Sequence, residues 1–272
     1  MNFFKLIFLY LFISSIRCLI LNIGLIKLSD VYKIKQTNFQ LIGFGRERDY
    51  YIFENGDIYD GKFVNGLAND TGSYFFKDKN TEYIGEFKNG KIEGKGIYGK
   101  SDKPLCFRIY EGEFRNGKAD GKGIYTYKNK DKYEGEWRNG KKEGKGEYKW
   151  GEYTWGKHYK YDEKEELLFP KSFKGYFEND KIGKVGVYFY NNGDKYKGQL
   201  KDGKREGKGV YYWKDGDRYE GDFKNDKREG KGIYYWNNGD RAMGDYLNDK
   251  EVGFHVILLS NGQVSQKYYE NK

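Results

Sequence analysis

The sequence predicts an all-β protein, an elongated antiparallel sheet of tandem β-hairpins. Three observations predict it: a repeat with a period of 23 residues, two-residue alternation of apolar and charged positions inside each repeat, and recurrent Asx-Gly or Asn-Asp turns. The segments beginning at Tyr196 (YKGQL), Tyr219 (YEGDF) and Ala242 (AMGDY) are spaced by 23 residues. Each is followed by a turn and a second segment, such as Glu206-Gly207-Lys208-Gly209-Val210-Tyr211-Tyr212-Trp213. Earlier copies begin at Tyr59, Tyr83, Tyr110, Tyr133 and Phe173, with spacings of 24, 27, 23 and 40, which makes eight units of which the first and last are degenerate.

Each half-unit reads as a strand. In Tyr133-Glu134-Gly135-Glu136-Trp137 the alternation sends Tyr133, Gly135 and Trp137 to one face and both carboxylates to the other. Asn139-Gly140 turns the chain. In the second half Gly144, Gly146, Tyr148 and Trp150 share one face, while Lys145, Glu147 and Lys149 share the other. Glycine normally weakens a strand, so its fixed place predicts hollows in which neighbouring rings lie. Lys and Glu on the opposite face, such as Glu136 and Lys145, are expected to pair across strands and to discourage edge-to-edge aggregation. Eight hairpins give about 16 strands, and at about 4.8 Å per strand the sheet extends about 75 Å, a rod rather than a sphere.

Composition narrows the chemistry. The 272 residues carry 28 Tyr, 19 Phe and 5 Trp, with 38 Gly and only 2 Pro, unlike a disordered chain. Two cysteines, Cys18 and Cys106, exclude a disulfide framework and a zinc site made from cysteine pairs. Two histidines, His158 and His255, far apart in sequence, argue against a His-based triad or facial metal site. No catalytic residue, metal ligand or cofactor is therefore expected, and the chain is read as a non-enzyme. The net charge is +9, but residues 1–50 hold seven Lys/Arg against three Asp/Glu, leaving 43 against 38 in the remainder. That mixture is not the polybasic signature of a nucleic-acid binder. The Gly-Lys-Gly triplets lack the strand-to-helix context of a phosphate loop.

The N-terminus divides the chain further. Residues 1–27 contain the apolar runs Leu6–Ile13 and Leu19–Ile26, separated by Ser14-Ser15-Ile16-Arg17-Cys18. They read as a signal peptide, alternatively as a helical membrane anchor across Leu6–Ile26 despite Arg17, and in a third reading as a stretch foreign to the native protein. Residues 28–50 are expected to be a linker or cap, 51–262 the array with an insertion at 151–170, and 263–272 a tail. Localisation follows from the first segment: membrane-associated or secretory, with a cytoplasmic, cytoskeletal setting as the alternative.

Tyr133-Glu134-Gly135-Glu136-Trp137, Asn139-Gly140-Lys141, Gly144-Lys145-Gly146 and Tyr148 together resemble the MORN (membrane occupation and recognition nexus) repeat, and the resemblance extends over about 51–262. It implies a curved sheet with aromatic rows lining a groove on one face. It also implies a non-catalytic organiser at membranes, the cytoskeleton or cilia, some arrays of the family cradling a partner helix. Departures fall in the first, fifth and last units. Asp70 and Lys184 replace the first glycine of the pair, His255 the second, and Ile257 the tyrosine. Degenerate ends suit capping repeats.

The candidate partner-binding row is Tyr133, Trp137, Tyr148, Trp150, Tyr196, Tyr211, Trp213, Tyr219, Phe223, Tyr234 and Trp236. The plainer reading is that these rings are the sheet's own core. A single-layer sheet cannot bury both faces, however, and rings left uncovered form a binding patch. The expected partner is a protein segment, a helix in the groove, with a peripheral anionic-phospholipid module as the alternative. Nucleic acid is not expected, and homodimerisation through an end strand is compatible with an open sheet.

Overall fold

The computed structural model describes residues 49–100, 109–151 and 169–270. The apolar N-terminal segment, read above as helix-like, and most of the insertion at 151–170 lie outside them. The described residues form strands β1 (Asp49–Ile52), β2 (Ile58–Val64), β3 (Leu67–Phe76), β4 (Thr81–Lys88), β5 (Lys91–Lys100), β6 (Ile109–Arg115), β7 (Lys118–Thr126), β8 (Lys132–Arg138) and β9 (Lys141–Lys149). Then follow β10 (Pro170–Glu178), β11 (Lys181–Tyr190), β12 (Lys195–Lys201), β13 (Lys204–Tyr212), β14 (Arg218–Lys224), β15 (Lys227–Tyr235), β16 (Arg241–Leu247), β17 (Lys250–Leu258) and β18 (Val264–Tyr269). Each strand pairs antiparallel with its neighbours in sequence, giving one open 18-stranded sheet. Eight hairpins run from β2 to β17. The structure adds one strand at each end, β1 on β2 and β18 on β17, where the sequence suggests only a linker and a tail.

Register explains the glycines. Gly61 faces Gly72, Gly72 faces Gly85, and the row continues unbroken through Gly135, Gly146 and Gly175 to Gly232 and Gly244. Over it lies the first ring of each hairpin but the last. A Cβ at either Gly135 or Gly146 would overlap the Tyr133 ring, and Tyr133 is 0% exposed. Its hydroxyl donates to the Glu136 carbonyl at 2.9 Å, a bond repeated by Tyr83, Tyr110, Tyr196 and Tyr219 to the carbonyl three residues on. Rings four residues further along, such as Trp137 and Phe223, wedge edge-on between successive tyrosines with centroids about 5 Å apart. A single sheet thereby builds its own dry layer from rings that cover backbone.

Just past the paired glycines each hairpin skips register. In β8–β9 Gly135 faces Gly146, but Trp137 faces Lys142. Gly144 occupies this bulge at φ 69°, and Asp70 takes the equivalent place at φ 64°, a left-handed conformation Asp tolerates. The bulge also corrects one expectation: Glu136 faces Lys122 on β7 in register, whereas Lys145 faces Tyr176 on β10 and sits over its ring.

In the last hairpin the ring arrives from the other strand. Ala242 stands where the tyrosine belongs, and the His255 side chain, reaching over from β17, covers Gly244 instead. Its Nε2 lies 2.9 Å from the Asp245 carbonyl, so Nε2 carries the proton, as the tyrosine hydroxyl does in other units. The departure seen at His255 in the sequence is thus a transposition of the ring, and His255 is 0% exposed.

Candidate functional site

The ring face carries two parallel tracks. The inner track, above the glycines, is buried: Tyr133, Tyr196 and Tyr219 are 0% exposed, and Trp137 and Phe223, wedged between successive tyrosines, are also buried. These five members of the sequence-derived row hold the sheet together. Of the six others, Tyr148, Trp150, Trp213, Tyr234 and Trp236 remain half-buried or exposed, and Tyr211 is buried. They belong to the outer track, which the sequence reading merged with the inner one because both occupy the same strand parity.

The outer track is continuous over the second half of the sheet. It runs Tyr127–Tyr148 (5.7 Å between centroids), Tyr148–Trp150 (5.0 Å), Trp150–Tyr188 (6.3 Å) and on through Tyr190 to Tyr211 (5.7 Å). From there Tyr211–Trp213, Trp213–Tyr234 and Tyr234–Trp236 stand 4.8, 5.1 and 5.1 Å apart. Tyr127, Tyr188 and Tyr190 were not singled out from the sequence, although their alternation with Tyr125 and Phe189 was a legible signal. Trp236, at the end of the track, is 37% exposed.

A ladder of carboxylates fixes this track. Asp194 accepts the Tyr211 hydroxyl at 2.7 Å and the Lys214 backbone N–H at 3.0 Å, tying the turn before β12 to the end of β13. Asp57, Asp131 and Asp217 repeat this with Tyr74, Tyr148 and Tyr234 at 2.9, 2.6 and 2.5 Å. Burial would raise the Asp57 carboxyl, but the Lys77 N–H, the Tyr74 hydroxyl and the Asn55 amide outweigh it and hold the group below its ordinary value. Burial also pushes the Tyr74 phenol up to about 12, with Asp57 adding to the shift, and Tyr148, Tyr211 and Tyr234 move the same way. Those hydroxyls are engaged with Asp, so the track offers ring faces rather than phenols.

Cations lie between the tracks. Arg205 sits 5.2 Å from the Tyr211 ring and 5.5 Å from Phe223, and Arg228 lies 5.0 Å from Tyr246. Lys142 lies 5.3 Å from Tyr148 and donates to the Tyr127 hydroxyl at 3.1 Å, and burial pulls its ammonium below the usual lysine value against opposition from Asp180 and Asp131. Each cation matches an Asn-Asp turn in the next hairpin. The Lys142, Arg205 and Arg228 backbone N–H groups donate to Asp180, Asp226 and Asp249 at 2.9, 2.8 and 2.8 Å, and both arginines also reach their Asp through the side chain. Where the cation is replaced by Ala68, Ile92 or Ala119, the following turn is Asn-Gly, at Gly90, Gly117 and Gly140. The glycine N–H then donates to that residue's carbonyl. This pairing is visible in the sequence only once the lateral neighbour is known.

Among the described residues no three His, Cys, Asp or Glu side chains gather as a metal site, and no helix is long and apolar enough to cross a membrane. On the opposite face two shallow depressions lie among glycine, charged and apolar side chains.

A solvent-exposed single-layer sheet of hairpins stacked ring over glycine defines a repeat scaffold. The MORN repeat profile matches residues 83–103, 110–132, 133–155, 196–218 and 219–241. The chain belongs to the MORN-repeat proteins, and that repeat is a non-catalytic module. Comparison with curated protein sequences gives no match. Among solved structures, the TCP10 domain of Danio rerio CPAP in complex with a STIL peptide aligns at a TM-score of 0.36 and 11% identity, covering 82% of this chain and 84% of that one. The Drosophila melanogaster SAS-4 TCP domain, in complex with a proline-rich motif of Ana2, aligns at 0.34 and 10%, covering 87% and 97%. A CPAP G-box domain aligns at 0.33 and 11%, covering 82% and 99%. The peptides in those complexes belong to those proteins.

Proposed function

We propose that this array is a scaffold that docks a protein partner along the outer aromatic track and so holds it at a membrane, cytoskeletal or ciliary structure. The observation that carries the reading is the continuous aromatic row from Tyr127 to Trp236, partly exposed except at Tyr188 and Tyr211 and ending in the exposed Trp236. Rings immobilised by their own stacking and by the Asp ladder lose little entropy on binding, which suits aromatic anchors of an interface. The apolar N-terminal runs supply membrane delivery in this reading. Affinity capture with the full chain, with Trp213→Ala/Trp236→Ala and with an array truncated after β13 tests it. A partner retained by wild type and lost by both variants supports docking on the track, whereas an unchanged set of captured proteins removes it. Protease protection of a C-terminal tag in selectively permeabilised cells tests the compartment: protection puts the array within the secretory pathway, and digestion with membrane pelleting supports an anchored cytosolic scaffold.

A further inference from the structure

The face opposite the rings is not uniform along the sheet. One row of directly paired positions reads Phe189, Lys195, Tyr212, Arg218, Tyr235 and Arg241 across β11 to β16, so cations and rings alternate strand by strand. Lys195 lies 4.3 Å from the centre of the Tyr212 ring and Arg218 lies 3.8 Å from that of Tyr235. No carboxylate of the described residues is within ion-pair distance of Lys195, Arg218 or Arg241.

The same row in the first half of the sheet behaves differently. There Lys132 and Lys149 pair with Glu134 and Glu147, two positions away on their own strands, at 4.0 and 3.6 Å. The corresponding neighbours in the second half are Lys197, Glu220 and Met243. Two of the three carry no negative charge, and Arg218 turns to Tyr235 rather than to Glu220. A guanidinium stacked flat on a ring uses its face and leaves its in-plane N–H fork free, the geometry that grips a carboxylate with two bonds. Beside the row lies a shallow depression of about 930 Å³ lined by Val185, Val210, Ile233, Met243 and Phe254 among others.

We infer that this row docks an acidic protein segment in the polyproline II conformation, with one carboxylate on each of Lys195, Arg218 and Arg241. Charge sets the sign of the partner, and spacing sets its conformation. The cations stand on alternate strands, roughly 9.6 Å apart at about 4.8 Å per strand. Three residues of a polyproline II helix, one full turn, advance about 9.3 Å and return to the same side. Side chains on one side of a β-strand recur at about 6.8 or 13.6 Å, and a helical heptad advances about 10.5 Å, which drifts by about 2 Å over the three cations. Phe189, 37% exposed at the end of the row, receives a proline, since aromatic rings are the usual platform for that helix, while Tyr212 and Tyr235 hold the Lys195 and Arg218 side chains beneath the carboxylates. This docking row lies on the other face from the outer track and stands independently of it.

The test measures fluorescence anisotropy of three labelled twelve-residue peptides with the full chain at about 50 mM salt, where screening is modest. The peptides are four repeats of Glu-Pro-Pro, four repeats of Gln-Pro-Pro, and a block peptide of the first composition with its glutamates contiguous. The first is expected to bind saturably, the other two at least tenfold more weakly. Lys195→Gln/Arg218→Gln/Arg241→Gln is expected to lose binding at least tenfold with an unchanged circular dichroism spectrum. Lys132→Gln/Lys149→Gln and Trp213→Ala/Trp236→Ala are expected to bind as wild type. Absence of saturable binding, equal binding of the block peptide, or full binding by the triple variant overturns the proposal. So does tighter binding, lost in that same variant, of a twelve-nucleotide oligothymidylate or of phosphatidylserine vesicles.

Discussion

Ala242→Tyr combined with His255→Gly should leave the last hairpin about as stable as it is, although each change alone damages it. His255 is 0% exposed, covers Gly244 and holds the Asp245 carbonyl at 2.9 Å. Removing the ring alone opens a cavity, leaves that carbonyl unpaired and puts a glycine inside β17. Cavity, hydrogen-bond and propensity effects together cost about 4 kcal/mol. Ala242→Tyr alone drives a second ring into an occupied slot, an overpacking that costs about 3 kcal/mol. If the two sites were independent the double variant would be about 7 kcal/mol less stable. With one slot filled from either strand, it should fall within about 1 kcal/mol of wild type, because the introduced phenol reaches the Asp245 carbonyl as Tyr219 reaches Asp222 at 3.1 Å. The double change also removes the buried, unpartnered Nδ1 of His255. Hydrogen exchange of the β16 and β17 amides reads the effect locally, which matters in an array whose repeats need not unfold together. Additive losses in the double variant would refute the shared slot.

Three further outcomes follow from the same contacts. Gly135→Ala places a Cβ against the Tyr133 hydroxyl and the β9 backbone, and should cost at least about 3 kcal/mol in urea unfolding, against about 1 kcal/mol for Gly140→Ala, which meets only open space but must hold φ 80°. Arg205→Ala should cost about 1 kcal/mol, and adding Asp226→Gly should bring the hairpin back to within about 0.5 kcal/mol, since the pair then matches the Ala119 and Gly140 arrangement. Tyrosines with raised values, such as Tyr74, Tyr127 and Tyr190 at about 12, stabilise the fold fully below the ordinary phenol range near 10 and lose that contribution as pH climbs toward 12. The melting temperature should therefore fall between those pH values. Phenolate absorbance of these rings should appear only with unfolding, and an ordinary titration in the native array would contradict the burial.

The strands, hairpins and their period were legible because each residue's environment here is set by neighbours within one repeat. Tyr133 and Gly135 are two residues apart, and Gly146 is brought opposite by a two-residue turn at Asn139-Gly140. The division of the aromatic row was not legible. Tyr196 and Trp213 share a strand face by parity, yet the first lies over glycine backbone and the second beyond it, where no backbone hollow exists. Likewise, the Asp226 turn reads simply as a variant Asx turn until β13 is set beside it, because its partner Arg205 is 21 residues away and belongs to the preceding hairpin.

The sequence by itself determined the fold class, the register of rings on glycines and the polarity of the two faces, since all three rest on period-two alternation and local turn chemistry. Only the tertiary structure decided which rings are core and which are surface, that the His255 ring substitutes for a missing tyrosine, and that Lys195, Arg218 and Arg241 align without carboxylates. Those properties arise where hairpins meet side by side. The lateral neighbour of a residue lies about one repeat away in sequence, at a distance that small insertions and bulges shift from unit to unit.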